Sequence, residues 1–236
     1  MANNHQGSLE HGKRIVESIA RCAAPYAGRF QFAVKFQYRD LDTFIHPHMR
    51  GRVDVKNIKR FEDTRLSLSD FAELFDCVRR NGMLTMCTPF DEASAVRIGA
   101  EGFDIIKIAS CSFADKIASC SFADWPLMEA VAQTGLPVIA SAAGCGMETI
   151  RNVLSFFQHR RIPISLMHCV GEYPTPNEHL QMNQIDVFRR EFPGVPIGFS
   201  THEAPSNLEP VKIAVAKGAR IFEKHVGVEA EGITLN

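Results

Sequence analysis

GFSTH at residues 198–202 and IFEKH at residues 221–225 are the two stretches of sequence that decide the fold. Each is a short apolar run that ends in a histidine, and residues 207–218 between them have a helical pattern. If the two runs form neighbouring parallel strands, His202 and His225 lie side by side at the carboxyl ends, where they could bind a metal ion. A histidine at a strand end is more often a hydrogen-bonded structural residue, so the metal hypothesis depends on the rest of the chain.

Apolar runs alternate with amphipathic segments along the whole chain. The pattern predicts helices over residues 9–24, 67–82, 91–102, 126–135, 147–159, 184–192 and 207–218. It predicts strands over residues 32–38, 84–90, 105–109, 137–142, 164–170, 196–200 and 220–225, with a long polar loop over residues 40–60. Largely apolar strands that alternate with helices over short loops indicate a parallel sheet covered by helices.

The predicted strands carry polar side chains at their carboxyl ends. These residues are Lys35 and Gln37, Thr88, Lys107 and Ser110, Ser141, His168 to Tyr173, Ser200 and His202, and Glu223 and His225. Polar residues at strand ends around one rim are typical of a (β/α)8 TIM barrel. An open doubly wound sheet is the alternative, but it usually has a glycine-rich first turn that this chain lacks. We therefore predict an α/β fold of the TIM-barrel type, with residues 1–236 in a single domain.

Composition and charge limit the classes of function. With 236 residues, of which 45% are hydrophobic, the chain can bury the core of one large α/β domain. A net charge of −1 argues against nucleic acid as a partner, because a polyanion needs a basic surface. The seven cysteines contain no CxxC pair, which indicates reduced thiols. No apolar run approaches the ~20 residues of a membrane span, so we expect a soluble cytoplasmic protein without a membrane partner.

Residues 107–115, KIASCSFAD, are repeated at once as residues 116–124. The repeat is too short for a solenoid unit, so it is either a local insertion or an artefact of the sequence. Apolar residues 103–106 precede only the first copy, which favours Lys107 and Ser110 in the strand and the second copy in a longer loop. The opposite arrangement, with the second copy in the strand, stays open.

Lysines and serines of the rim suit an anionic ligand, because lysine supplies a point charge and serine a neutral donor. The residues concerned are Lys35, Lys107, Ser110, Ser141 and Ser200. Taken singly, each serine is more simply explained as a solvated or capping hydroxyl. Glu223 lies two residues before His225, so on a strand their side chains share a face. A carboxylate beside metal-bound imidazoles can orient a substrate or move protons.

A series of motifs runs along the chain: VKFQ (34–37), CTPFD (87–91), KIAS (107–110), PVIAS (137–141), HC (168–169), EYPTP (172–176), GFSTH (198–202) and FEKH (222–225). Together they resemble the sialic acid (N-acetylneuraminate) synthase family, which includes synthases of other nonulosonic acids. Each motif is weak alone, but the combination covers almost the whole chain in the family's order. The resemblance implies a (β/α)8 barrel enzyme that condenses phosphoenolpyruvate with an N-acetylated hexose such as N-acetylmannosamine, helped by a divalent cation, usually Mn²⁺.

The same resemblance implies a role for each rim residue. It assigns the phosphate and carboxylate of phosphoenolpyruvate to Lys35, Lys107, Ser110, Ser141 and Ser200, and the metal to His202 and His225. Gln37, Thr88, Phe90, Tyr173 and Glu223 match sugar-facing or site-lining positions, and Asn236 falls where the family often has a carboxylate near the metal. Glu223, Lys35 and Lys107 are the expected catalytic residues. The sugar aldehyde, polarised by the cation, is attacked by C3 of phosphoenolpyruvate; water then adds at C2 and phosphate leaves by C–O cleavage.

The chain departs from the family pattern at several positions. Gly171 stands where an asparagine often precedes the site tyrosine, and Thr201 stands where an aspartate often precedes the metal histidine. The family's first strand precedes an Asn-His pair, which here is Asn4 and His5. We therefore expect the chain to lack the first strand and the last helix of the barrel. Since unpaired strand edges favour association, we expect this chain alone to be poorly soluble or inactive, and the full-length form to be an active homodimer.

Two other functions stay open. A Schiff-base aldolase would use Lys35 or Lys107 as the nucleophile, and an inactive barrel fragment would keep the fold without turnover. Trapping with borohydride and a keto acid would reveal the aldolase, whereas sensitivity to a chelator favours the synthase. The acceptor sugar is not identified by the sequence, because its contacts lie largely in loops.

Overall fold

The computed structural model describes residues 1–110 and 124–229. The helices among them are α1 (Leu9–Ala23), α2 (Leu41–Phe44), α3 (Lys56–Asp63), α4 (Leu68–Arg80), α5 (Glu92–Glu101), α6 (Trp125–Gln133), α7 (Met147–His159), α8 (Gln184–Glu191) and α9 (Glu209–Ala216). The strands are β1 (Ala33–Tyr38), β2 (Leu84–Pro89), β3 (Ile105–Ile108), β4 (Val138–Ser141), β5 (Ile164–His168), β6 (Ile197–Phe199) and β7 (Ile221–Phe222). The chain divides into two compact units: the first contains residues 1–105 and the segment that begins at His225, and the second contains residues 106–224.

The first unit is built on the parallel pair of β1 and β2, which are in register from Ala33 opposite Leu84 to Tyr38 opposite Pro89. Buried and more exposed side chains alternate along β1. The rings of Phe36 and Tyr38 each pack edge-on against those of Phe71 in α4 and Phe103. This aromatic layer holds β1 in place, and β1 carries the predicted site residues Lys35 and Gln37.

The second unit contains a parallel sheet in which β3, β4, β5, β6 and β7 pair in sequence order. All residues of β4 and β6 are buried. Strands that are apolar throughout belong to a sheet covered on both faces, as the sequence predicted. Because all the pairings are parallel, the carboxyl ends of these strands share one edge of the sheet.

Several helix boundaries follow from capping signals that are visible in the sequence. Ser67 caps α4 in a capping box, in which its side chain accepts from the backbone of Asp70 and the Asp70 side chain accepts from the backbone of Ser67. The side chain of Asp91 accepts from the backbone N–H of Ser94 at the start of α5. Gly102 ends the same helix in the left-handed conformation, with φ 76°. These local signals confirm the predicted positions of both helices.

Two predicted elements are corrected. The strand predicted over residues 220–225 is only Ile221–Phe222, because its partner β6 ends at Phe199, whose O accepts from N of Glu223. The strand alternation that was to align Glu223 with His225 therefore does not extend to them. The polar stretch over residues 40–60 is also more than a loop, since it contains α2, capped by Asp40, and the start of α3.

The parallel α/β fold is confirmed, whereas barrel closure, the missing first strand and last helix, and the single domain stay predictions. Lys107 from the first KIASCSFAD copy lies in β3 as predicted, whereas Ser110 lies beyond the end of the strand at Ile108. Most of the duplication, residues 111–123, lies outside the described residues. In the described part of the chain, no helix combines the length and apolar character needed to cross a membrane.

The N-terminal residues are buried in the first unit. The backbone nitrogen of Met1 donates to O of Lys35 at 3.2 Å, and Nδ2 of Asn4 donates to O of Val226 at 3.0 Å. Burial lowers the pKa of the neighbouring His5 from its ordinary value to about 4. The Asn-His pair seen in the sequence thus consists of two buried side chains, of which Asn4 contacts the chain after β7 and His5 lies edge-on to the ring of Phe71.

Gly198 on β6 is a position where a larger side chain should disturb the sheet. A Cβ atom there would lie 2.2 Å from Sδ of Met167 and 2.7 Å from the backbone O of Ile221. The methionine can move, but the carbonyl belongs to β7, so Gly198→Ala must push the two strands apart. We expect a loss of about 2 kcal/mol in the free energy of unfolding, measured by urea denaturation. Gly28→Ala is the control, since no atom lies within 4 Å of a Cβ there; equal losses in both variants would contradict the prediction.

Candidate functional site

Four predicted site residues meet at the carboxyl edge of the sheet in the second unit. Lys107 of β3 is only 3% exposed, and its Nζ donates to Oγ of Ser141 at the end of β4, 2.6 Å away. The same Nζ lies 3.3 Å from Oε2 of Glu223. That carboxylate oxygen also accepts a hydrogen bond of 3.3 Å from Oγ of Ser200. The lysine cluster consists of Lys107, Ser141, Ser200 and Glu223.

The lysine cluster is held by the hydrogen-bond ladder of the sheet. Glu223 directly follows β7, and its N–H donates to O of Phe199 at 3.1 Å. Ser200 directly follows β6, and its N–H donates to O of His168 at 2.8 Å. Both side chains therefore extend from backbone that is fixed on one side by a neighbouring strand, which is the support a precise site needs.

The chemistry of the lysine cluster combines positive charge with a group able to move protons. The ammonium of Lys107 is buried beside the carboxylate of Glu223, whose side chain is 21% exposed. Lysine at this position can bind a phosphate or carboxylate, and the serine hydroxyls can add neutral hydrogen bonds. Because Glu223 is partly open to solvent, it can also accept or give a proton at a bound substrate.

Tyr173 and His202, both predicted as site residues, are in contact in the second unit. The ring of His202 lies edge-on to that of Tyr173, with a centroid distance of 4.9 Å. The main chain of His202 is fixed by Thr175, whose N–H donates to O of His202 at 2.9 Å and whose Oγ1 accepts from N of His202 at 3.4 Å. The loop after β5 therefore positions the histidine that follows β6.

An ion pair that the sequence analysis did not identify lies beside His202. The Glu203 side chain is 3% exposed, pairs with Nζ of Lys224 and accepts a hydrogen bond of 2.6 Å from Oγ1 of Thr201. Nζ of Lys224 also donates to O of Thr201 at 3.2 Å and lies 4.8 Å from the ring centroid of Phe199. Burial by itself raises the pKa of the Glu203 carboxyl, but hydrogen bonds from Lys224 and Thr201 outweigh it and hold that pKa below its ordinary value. The pair ties both flanks of His202 to the chain after β7.

In the first unit, the predicted residues Gln37 and Phe90 contact an arginine that the sequence analysis did not select. Gln37 on β1 and Thr88 on β2 are register partners. Arg39 donates from Nη2 to Oε1 of Gln37 at 2.9 Å. Its guanidinium carbon lies 3.9 Å from the ring centroid of Phe90 and 4.6 Å from that of Phe61. The sequence did contain a signal for Arg39. It lies two residues after Gln37, and this spacing puts both side chains on the same side of an extended chain. The arginine cluster consists of Gln37, Arg39, Phe61, Thr88 and Phe90.

Four further predicted residues are placed individually. Lys35 lies on β1 and is half-buried. The Oγ of Ser110 lies 3.7 Å from Sγ of Cys169. His225 follows β7 in the first unit and is exposed. Asn236 lies outside the described residues.

The metal hypothesis was tested against the donor groups that the structure describes. Among these residues, no three or more His, Cys, Asp or Glu side chains come together in a way that could bind a metal ion. Protein sites for Zn²⁺ take about four ligands and sites for Mn²⁺ more, mostly oxygens, so the two histidines do not form a complete set. Metal binding at His202 and His225 stays a prediction.

Fold and site together define a class of protein. It is a parallel α/β protein with a buried lysine, a carboxylate and serine hydroxyls at the carboxyl edge of its sheet. Enzymes of this architecture carry their active sites at that edge. The chain belongs to the NeuB family, whose family model matches residues 28–233. This match confirms the resemblance seen in the sequence motifs.

Similar proteins extend this assignment. The uncharacterized protein MJ1065 of Methanocaldococcus jannaschii is 31% identical over 94% of the chain. Spore coat polysaccharide biosynthesis protein SpsE of Bacillus subtilis is 28% identical over 96%, and the mouse N-acetylneuraminate-9-phosphate synthase is 24% identical over 97%. The chain spans 58% to 61% of the length of these relatives.

Solved structures show the same fold. A protein of Chromobacterium violaceum, provisionally named spore coat polysaccharide biosynthesis protein E, is 47% identical with a TM-score of 0.93, over 100% of this chain and 67% of its own. N-acetylneuraminic acid synthetase of Leptospira borgpetersenii, solved with citrate, is 27% identical with a TM-score of 0.81, over 97% of this chain and 71% of its own. A truncated 3-deoxy-D-arabino-heptulosonate 7-phosphate synthase of Thermotoga maritima, 14% identical with a TM-score of 0.58, is similar in fold alone.

Proposed function

We propose that this protein is a synthase that condenses phosphoenolpyruvate with an N-acetylated hexose, of the N-acetylmannosamine type, to form a nonulosonic acid and release phosphate. Membership of the NeuB family supports a synthase of this kind, since its similar proteins include N-acetylneuraminic acid and N-acetylneuraminate-9-phosphate synthases. The observation that carries the proposal is the buried ammonium of Lys107, held between Ser141 and Glu223 at a strand-end edge. A buried ammonium beside a serine hydroxyl suits a small substrate that carries a phosphate and a carboxylate.

The reaction forms one carbon–carbon bond and breaks one carbon–oxygen bond. C3 of phosphoenolpyruvate attacks the aldehyde carbon of the open-chain sugar, whose oxygen takes up a proton. Water adds at C2 and phosphate leaves. Lys107 and Lys35 bind the phosphate and carboxylate of phosphoenolpyruvate, and Glu223 moves the protons.

Several residues would position the two substrates. Ser110, Ser141 and Ser200 add hydrogen bonds to phosphoenolpyruvate, and Gln37, Thr88, Phe90 and Tyr173 line the acceptor site. In the structure, Ser141 and Ser200 already contact charged members of the lysine cluster. Gln37 and Phe90 contact Arg39 in the first unit. These contacts support the proposed roles because they keep polar donors at the ends of strands.

We further propose that His202 and His225 hold a divalent cation, most readily Mn²⁺, and that Asn236 belongs to the substrate site near it. Imidazole is a common metal ligand, and the main chain of His202 is fixed by Thr175. When bound, the cation would supply Lewis acidity at the aldehyde oxygen. A homodimer remains part of the proposal for the full-length enzyme.

The test is phosphate release from phosphoenolpyruvate with Mn²⁺ and a panel of N-acetylated hexoses. We expect one phosphate per nonulosonic acid formed, and loss of turnover with a chelator that added Mn²⁺ restores. A Schiff-base aldolase would instead be revealed by borohydride trapping of pyruvate on Lys107 or Lys35, without phosphate release. The carboxylate next to Lys107 favours the synthase, since it stabilises the charged ammonium rather than the neutral amine that a Schiff base needs.

A further inference from the structure

Arg39 is a half-buried cation in the first unit, and among the described residues no carboxylate forms an ion pair with it. Its guanidinium carbon lies over the rings of both Phe61 and Phe90. Its side-chain hydrogen bond goes to the neutral amide oxygen of Gln37. Nε is buried and has no hydrogen-bond partner among the described residues. An arginine removed from water in this way normally pairs with a carboxylate, because an unpaired buried charge is costly.

The acidic side chains near Arg39 in sequence and along the loop are engaged elsewhere. The carboxylate of Asp91 accepts backbone N–H groups from Ser94 at 2.6 Å and from Asp40 at 2.9 Å. The carboxylate of Asp40 accepts from N of Asp42 at 3.1 Å. These groups cap helices, which fixes their orientation and keeps them from serving as counter-ions.

Asp42 and Glu62, two further acidic residues of this region, also have other partners. Asp42 pairs with Arg65 at 3.2 Å, and Oε1 of Glu62 accepts from N of Gly51 at 3.0 Å. Burial first, and then the charge of Arg60, lower the pKa of Arg39 from its ordinary value to about 10, although Cys87 acts in the opposite direction. The acidic side chains considered above thus each have another partner, and none of them is paired with Arg39.

The position of Arg39 indicates which ligand could supply that charge. Gln37, Thr88 and Phe90, which belong to the same cluster, are the residues that line the acceptor site in the proposed function. Thr88 also has a buried Oγ1 without a hydrogen-bond partner among the described residues. A guanidinium is planar, and its N–H groups suit the oxygens of a phosphate or carboxylate; the contacts with Phe61, Phe90 and Gln37 fix its position.

We propose that Arg39 binds an oxyanion carried by the acceptor sugar, and so makes the enzyme selective for an anionic N-acetylated hexose over a neutral one. The identity of the acceptor rests on the proposed function, whereas the need of Arg39 for an anion does not. The oxyanion is either a phosphate ester or a carboxylate, because both match the same guanidinium edge.

Calorimetry on the full chain, with N-acetylmannosamine, its 6-phosphate and its uronic acid, tests the proposal. We expect the unmodified protein to bind one of the two anionic sugars at least about tenfold more tightly than the neutral sugar. Arg39→Met should lose that preference, because methionine keeps an apolar chain between the rings and removes the charge. Arg21→Met, at an exposed position of α1, is the control and should keep it. Whichever of the two anionic sugars binds more tightly shows whether the oxyanion is a phosphate ester or a carboxylate.

Equal binding of neutral and anionic sugars by the unmodified protein would overturn the proposal, as would a preference that survives in Arg39→Met. If Arg39→Met does not fold, as judged by circular dichroism, Arg39→Lys replaces it; lysine keeps the charge without the planar donor pair and should reduce the preference about fivefold. The phosphate-release assay is read separately. If the unmodified protein prefers an anionic sugar and Arg39→Met loses that preference, the role of Arg39 is supported. If no acceptor is turned over in the same experiments, the proposed function is refuted.

Discussion

Lys107→Met is expected to lower kcat/KM for phosphate release from phosphoenolpyruvate by about a thousandfold or more. Loss of a single neutral hydrogen-bond donor from an oxyanion site costs about 10² to 10³ in rate, and Lys107 contributes a full charge as well as hydrogen bonds. Methionine has a similar length and keeps the apolar part of the side chain in the core. Glu223 loses its cationic partner, but its carboxylate is 21% exposed and stays partly hydrated. We therefore expect activity to be lost without unfolding.

The control for Lys107→Met is Lys212→Met in α9. Lys212 pairs with Glu209 on the helix surface, and their side chains are 66% and 70% exposed, so its removal should leave both turnover and folding intact. Circular dichroism and urea denaturation of both variants would show that the fold is kept. A folded Lys107→Met protein with more than about a tenth of the original kcat/KM would rule out the proposed role of this lysine.

Most elements of the fold could be predicted because their causes are local in sequence. Ser67, Asp91 and Gly102 mark helix ends through their own capping geometry. The end of β7 could not be predicted in the same way, because it depends on where the neighbouring strand β6 ends. Helix α2 was missed because its single turn carries little apolar pattern and depends on the cap formed by Asp40.

The candidate site shows the same division. Lys107, Ser141, Ser200 and Glu223 were found because parallel strands bring their carboxyl ends to one edge, so position along the strand was sufficient. The Glu203–Lys224 pair was not found, because the two residues come from different loops and only the folded chain brings their charges together. The two-residue spacing from Gln37 points to Arg39, but its contact with the ring of Phe61 depends on where α3 lies in the folded chain. The sequence indicates which residues reach the edge of the sheet, and the folded structure decides which of them pair.

Lys224→Met is expected to destabilise the second unit by about 3 kcal/mol, because it leaves a buried carboxylate without its cation. The side chain of Glu203 is 3% exposed, so water hydrates it poorly, and the hydroxyl of Thr201 would be its remaining side-chain donor among the described residues. The single variant should therefore cost far more than the loss of a surface ion pair. Urea denaturation at neutral pH measures the loss, with Lys212→Met as the matched variant, since its exposed pair should contribute less than about 1 kcal/mol.

The charge on Glu203 makes the effect of Lys224→Met depend on pH. The folded protein holds the pKa of this carboxyl below its ordinary value of about 4.5. The stability that the pair contributes is therefore present above the unfolded pKa. It is lost as the pH falls through the folded pKa. The difference in unfolding free energy between the unmodified protein and Lys224→Met should therefore shrink at acid pH. Adding Glu203→Gln to Lys224→Met should recover part of the stability at neutral pH, because it removes the unpaired charge. Two results would show that the pair does not act through the buried charge. One is an equal loss of unfolding free energy in Lys224→Met and Lys212→Met, and the other is a double variant that is no more stable than Lys224→Met. The main-chain contacts from Thr175 would then be what holds His202.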